Sequence, residues 1–162
     1  MDEQTRDVIL EFITRLLESA DTVIEKIPVN EETKRIVTEL IDLSKNSRYL
    51  HNDLFGQGGG KIIDIGDAAS RIFGNGINWG KIALFLQFAA CCCKAYTRRD
   101  IVMFVETIGQ YFGKFHIQKW VENKGGWGAV LRANRTPIAL GVLGVVGALA
   151  IGGIMYNRRR RN

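Results

Sequence analysis

Apolar positions recur along this chain at steps of three and four, and they predict helices through most of its length. Between residues 3 and 27, Ile9, Ile13, Leu16, Ala20, Val23 and Ile27 share one face, and Val8, Leu10, Phe12 and Leu17 widen it. Glu3, Asp7, Glu11, Arg15, Glu18 and Glu25 fall on the water side. Pro28 ends the pattern. Asn30 before Glu31 and Glu32 reads as a cap followed by an acidic first turn. Ile36, Leu40, Leu43, Leu50 and Leu54 then carry a second helix, flanked by Val37 and Ile41 and interrupted at Ser47. Gly56 and the glycines at 58–60 close it. Ile62, Ile65, Ala69, Ile72 and Phe73 predict a third, shorter helix before the turn Gly74-Asn75-Gly76.

Two stretches depart from this amphipathic rule. From Ile82 to Cys93 only Gln87 is polar. A helix apolar all round is either a membrane span or the centre of a core, and a span needs roughly 20 residues. This stretch is too short, so residues 77–96 are expected to form a central helix wrapped by partners, with Asn78 as its cap and Lys94 ending the apolar run. Asp100 is placed to cap the next helix, whose inner face is Ile101, Val105, Ile108, Phe112 and Phe115. A short segment 117–123 leads to Gly125-Gly126-Trp127 and a last short helix near 127–133. The second departure is 138–156, which carries no charge over 19 residues. At 1.5 Å per residue it is about 28 Å long, close to the hydrocarbon thickness. Arg132 and Arg135 precede it and Arg158 to Arg161 follow it, as basic residues flank a membrane anchor. The expected organisation is a helical bundle over residues 1–135 and a C-terminal transmembrane helix with a basic tail over 136–162. Gly144, Ala148 and Gly152 lie four apart, a small-residue stripe along which two anchors could approach as a dimer.

Charge and chemistry narrow the reading. The chain has 162 residues and a net charge of +5, unevenly spread. Residues 1–60 hold 7 basic and 12 acidic groups, residues 61–162 hold 15 and 5, and four of those 15 are the terminal arginines. The basicity is therefore a tail feature and marks no nucleic-acid surface. Cys91, Cys92 and Cys93 are adjacent, which suits neither a disulfide framework nor zinc. They are expected to be buried, reduced hydrophobes. Gly56 to Lys61 fails as a phosphate loop, because Phe55 stands where its first glycine belongs and Ile62 where a hydroxyl residue belongs. His51 and His116 have no Cys or Ser partner at a recognisable spacing. No acid–base pair, cofactor loop or metal set appears, so the pattern points to a binding module and not to an enzyme.

Gly76-Ile-Asn-Trp-Gly-Lys81 resembles the first homology motif of the Bcl-2 family of apoptosis regulators, usually Gly-Val-Asn-Trp-Gly-Arg. Trp120-Val-Glu-Asn-Lys-Gly-Gly-Trp127 is similar to the second, and Arg6-Asp7-Val-Ile-Leu-Glu-Phe-Ile13 to the fourth. Order and spacing agree, and the resemblance covers nearly the whole chain. It implies an all-α bundle around a central hydrophobic hairpin, here 79–96 and 100–116. It also implies a groove that receives the amphipathic death-motif helix of pro-apoptotic relatives. By the same resemblance Asn78, Gly80 and Lys81 edge the groove, Ile72, Phe73 and Ala83 line it, and Lys81 meets an Asp of the incoming helix. Trp79, Trp120, Gly126 and Trp127 would hold the motifs in shape. The location implied is the cytosolic face of the mitochondrial outer membrane, with the endoplasmic reticulum as the alternative.

Three residues depart from the family pattern. Lys81 stands for Arg, and Gly128 stands where Asp usually follows the second-motif Trp. The third motif, Leu-x-x-x-Gly-Asp, has two readings. Leu40 with Ser44-Lys45 keeps the small residue and loses the acid, whereas Val37 with Ile41-Asp42 keeps the acid and loses the small residue. A killer must present this segment to a neighbour's groove, so either flaw favours an anti-apoptotic regulator over a Bax- or Bak-like pore-forming effector.

Overall fold

The computed structural model describes residues 1–18, 29–46, 64–93 and 96–133. Helix α1 (Glu3–Glu18) starts where Asp2 accepts the Thr5 N–H at 2.8 Å. Asn30 caps α2 (Glu31–Asn46) through the Thr33 N–H, and Asp64 caps α3 (Ile65–Phe73) through that of Gly66. Asn78 caps α4 (Trp79–Cys92). After α5 (Arg98–Lys114), His116 at φ +56° turns the chain into α6 (Ile117–Asn123). A 3₁₀ turn, Trp127–Ala129, leads into the short α7 (Val130–Ala133). All elements among the described residues are helical. The first compact unit runs from Met1 to Leu131, and the second, from Arg132, is described only to Ala133. The continuations expected beyond Glu18 and Asn46, the glycine linker, and the anchor at 138–156 lie outside the described residues. Among the described residues no helix is long and apolar enough to cross a membrane.

Helix α4 is the axis of the bundle. Its Ile82, Ala83, Leu84, Phe85 and Leu86 are completely buried, five consecutive positions that span the helix circumference. α1, α2 and α3 pack against it, and α1 also packs on α2 and α5. The faces that do this are centred slightly off the expected stripes. In α1 they are Val8, Ile9, Phe12 and Ile13, with Leu16 only partly buried. In α2 they are Ile36, Val37, Leu40 and Ser44, with Leu43 and Ile41 at the margin. In the anticipated hairpin, α4 and α5 meet through side chains more than through close backbone approach. Rings bridge the gap, Phe85 lying 6.3 Å from both Tyr111 and Phe112.

Two expectations need correcting. Thr97, not Asp100, caps α5. The Thr97 hydroxyl accepts the Asp100 N–H, and the Asp100 carboxylate accepts from the Thr97 N–H and O–H, a capping box that places the acid three residues inside the helix. The cysteines are not uniformly buried either. Cys93 is, and burial aided by the Cys92 and Cys91 thiols pushes its own thiol up to about 12, but Cys91 is partly exposed and Cys92 exposed. The run sits at the end of α4, where only one side of the helix still faces the core.

The caps carry a pH signature. Partial burial pushes the Asp2 carboxyl up, but hydrogen bonds from the Thr5 backbone and hydroxyl, with the N-terminal ammonium, hold it below the usual value. Glu31 is lowered by its hydrogen bond and charge pairing with Lys34, and Asp100 by the Thr97 hydroxyl and N–H. A carboxyl lowered in the folded state stabilises above its unfolded value and loses that contribution as pH falls through the folded value. Urea midpoints should therefore hold steady from neutrality to roughly pH 5 and decline below about pH 4, with a shallower decline in Asp2→Asn. Thr97→Ala should cost about 1 kcal/mol at neutral pH in the same assay.

Candidate functional site

The residues singled out from the sequence converge on the start of α4. The chain leaves α3 at Phe73, whose carbonyl accepts the Gly76 N–H at 3.1 Å. Gly76 has φ +92°, a conformation that a side chain would strain. Its carbonyl then accepts a hydrogen bond of 2.8 Å from Lys81 Nζ, while Asn78 Oδ1 accepts the Lys81 N–H at 2.8 Å. The turn is thus tied at both ends, and the Lys81 ammonium is held at the exposed rim of the motif. One of its three protons is used on Gly76, so the group keeps donors for a carboxylate.

Behind this rim the other candidates point inward. Ile72 and Phe73 are 4% and 5% exposed, and Ala83 is fully buried. Phe73 lies edge-on to Phe85 with centroids 5.4 Å apart and 5.7 Å from Phe115. Asn78 is exposed and Gly80 partly buried. The motif thus presents a polar, cationic edge above an apolar floor.

The three tryptophans come together although two of them are more than forty residues from the first. Trp79 meets Trp120 edge-on at 5.0 Å and Trp127 at 5.8 Å, and Trp127 stacks on Phe112 at 6.2 Å. Gly126, at φ +79°, makes the sharp entry into the 3₁₀ turn that puts Trp127 inside. The sequence reading missed Thr5 and Asp2. Trp127 Nε1–H donates to Thr5 Oγ1 at 2.9 Å, and Thr5 Oγ1–H donates to Asp2 at 2.7 Å. The signal was present as Asp2-x-x-Thr5, a helix-start spacing with the polar roles reversed. Glu32 was read only as a first-turn acid, yet its carboxylate lies 3.3 Å from where a Cβ on Gly128 would stand.

In the third-motif segment, Leu40 is fully buried and Ser44 is 4% exposed, its hydroxyl donating to the Ile41 carbonyl at 2.7 Å. Ile41 is only partly buried, and Lys45 pairs with Asp42 at 3.2 Å in solvent. The position of α2 that packs inside the bundle is the small one. This agrees with the register Leu40, Ser44, Lys45. A hollow of about 310 Å³ beside Phe112, Gly113, His116, Gln118, Lys119 and Glu122 contains none of the candidate residues. Among the described residues no cluster of His, Cys, Asp and Glu could hold a metal ion.

Comparison with known proteins gives a consistent pattern. The family model "Apoptosis regulator proteins, Bcl-2 family" matches residues 61–127, which include both tryptophan motifs. The chain is 26% identical over 91 residues to the chicken (Gallus gallus) apoptosis regulator Bcl-2, covering 54% of this chain and 37% of that protein. It is 29% identical over 94 residues to the human (Homo sapiens) Bcl-2 homologous antagonist/killer, covering 56% of this chain and 44% of that one. The match therefore spans less than half the length of either relative. The crystal structure of chicken BOK superposes with a TM-score of 0.59 at 19% identity, over 80% of this chain and 94% of that one, a likeness of fold.

Gly128 offers a direct check on the site. Gly128→Asp would set a second carboxylate beside that of Glu32. It should lower stability by roughly 0.5–1 kcal/mol, the scale of surface charge pairs. Glu32→Gln in the same chain should recover most of the loss in urea melts, which a purely steric cost would not allow.

Proposed function

We propose that the chain, as a member of the Bcl-2 family, regulates apoptosis by receiving the amphipathic death-motif helix of a pro-apoptotic relative in a groove beside α4. The observation that carries this reading is the Lys81 ammonium, fixed on the Gly76 carbonyl at the exposed rim of an otherwise apolar motif. A cation in the first turn opposes the helix dipole and needs a reason to be there. A carboxylate on the incoming helix supplies one, as a charge-assisted hydrogen bond. Apolar anchors of that helix, a turn apart, would settle toward Ile72, Phe73 and Ala83 by displacing the segments that cover them. The function is non-enzymatic. The reading extends to a tail anchor at 138–156, facing the cytosol at the mitochondrial outer membrane.

Protection is the direction we favour. Two features support it: the fourth-motif pattern on α1, and the burial of Leu40 and Ser44 on α2, which favours the register in which Lys45 takes the position of the motif's acid. Lys45 brought to the Lys81 of a second copy would set like charges together and oppose self-assembly. The similarity to the human antagonist/killer motivates the second reading, a pore-forming effector.

Fluorescence polarisation with labelled death-motif peptides, on the full chain in detergent micelles, tests binding. The wild type should bind at least one peptide of a panel. Lys81→Glu should weaken it by about tenfold or more, and Lys81→Arg should not. Absence of binding across the panel would reject the groove reading. Dye release from cardiolipin-containing liposomes tests direction, and efficient release that is abolished by Leu40→Glu would assign the chain to the effectors. Alkaline carbonate extraction of the full chain against one ending at Thr136 tests the anchor, which requires that only the full chain stay with the membranes.

A further inference from the structure

We propose that Thr5 and Asp2, at the start of α1, are positioning residues for the Lys81 rim, acting through Trp127 and Trp79. The inference builds on the proposed groove function but concerns a part of the chain remote from it in sequence.

The polarity of the hydrogen-bond chain is dictated by chemistry. An indole N–H can only donate and an ionised carboxylate can only accept. Thr5 lies between them and has one proton and two lone pairs. It must therefore give its proton to Asp2 and take the proton of Trp127, at 2.7 Å and 2.9 Å. Asp2 is itself oriented by the Thr5 N–H on its other oxygen. Thr5 and Trp127 are each 2% exposed, so neither can substitute water for a lost partner. The Trp127 indole consequently has one orientation, set by the first turn of α1.

That orientation is passed on by ring contact. Trp127 and Trp120 are the two indoles against Trp79, and Trp79 is the first residue of α4. Its backbone lies between Asn78, which accepts the Lys81 N–H, and Gly80, which precedes Lys81. A reoriented Trp127 removes one of the two indoles that seat Trp79, and the first turn of α4 must shift with it. The Lys81 ammonium is hooked to the same turn and would lose its fixed place.

The test is nuclear magnetic resonance and peptide titration on the full chain in micelles. Thr5→Val keeps the shape and removes the hydroxyl. Exchange of the Trp127 indole proton should accelerate by about tenfold or more, the Trp79 indole and Lys81 amide resonances should move, and peptide affinity should fall by roughly fivefold. Thr5→Ser should restore all of these. If Thr5→Val does not fold, Asp2→Asn is the milder variant. Its amide can donate to Thr5 in competition with Trp127, so the same signals should shift by smaller amounts. Faster Trp127 exchange with unmoved Trp79 and Lys81 signals would overturn the proposal and reduce the contact to a stability element. Unchanged Trp127 exchange would overturn it outright. If no peptide binds even the wild type, the groove reading fails, while the three resonances still decide whether α1 positions the rim.

Discussion

A helix with no polar face cannot remain at a surface, and that constraint on α4 arranges the rest of the molecule. Burying an apolar side chain of the size of Leu or Phe is worth about 1.5–3 kcal/mol. Its five fully buried consecutive residues therefore demand cover from every direction. α1, α2 and α3 provide most of it, and α5 adds a layer of rings through Tyr111 and Phe112. Apart from Gln87 at mid-helix, the polar groups of α4 sit near its ends. The Cys91–Cys92 pair emerges at one end and the Asn78–Lys81 turn at the other.

The polar groups of the first motif are concentrated in that turn for the same reason. A lysine in the first turn faces the positive end of the helix dipole, an unfavourable position for a cation. The Gly76 carbonyl compensates locally by accepting from Lys81 Nζ, at a backbone position whose φ of +92° favours glycine. Beneath the turn, three indoles and Phe112 form a continuous aromatic contact that joins α4 to α5, α6 and the 3₁₀ turn. Edge-to-face and offset-stacked aromatic pairs add about 0.5–1.5 kcal/mol each beyond the area they bury. Cation, turn and aromatic support form one unit, which is why the two tryptophan motifs occur together although they are far apart along the chain.

The resemblance leaves direction to local chemistry, since the chain is similar both to an apoptosis regulator and to an antagonist/killer. The segment on α2 is where that chemistry differs. Leu40 and Ser44 face the core while Lys45 and Asp42 satisfy each other in solvent, so an exposed copy of this helix would carry a cation beside its small residue.

The sequence alone determined the helices found among the described residues, that the stretch from Ile82 to Ala90 lies at the centre, and that two tryptophan motifs flank the bundle's central pair of helices. These follow from periodicity and from residue types whose physics is local: apolar spacing, glycines that tolerate positive φ, and Asn at helix starts. Tertiary structure decided what depends on neighbours brought in from elsewhere. Thr97 displaced Asp100 as the cap because a capping box needs both groups in one geometry, and either residue alone looks suitable. Cys92 faces water while Ala89 and Cys93 face the core, because the bundle covers only one side of the last turn of α4, which no local pattern records. Ser44 is buried ahead of Ile41 because the packing face is chosen by the helix opposite, against intrinsic hydrophobicity. Thr5 was legible as a polar residue at a helix start. Its hydrogen bond to an indole 122 residues away exists only because the bundle closes α1 over the turn at Trp127.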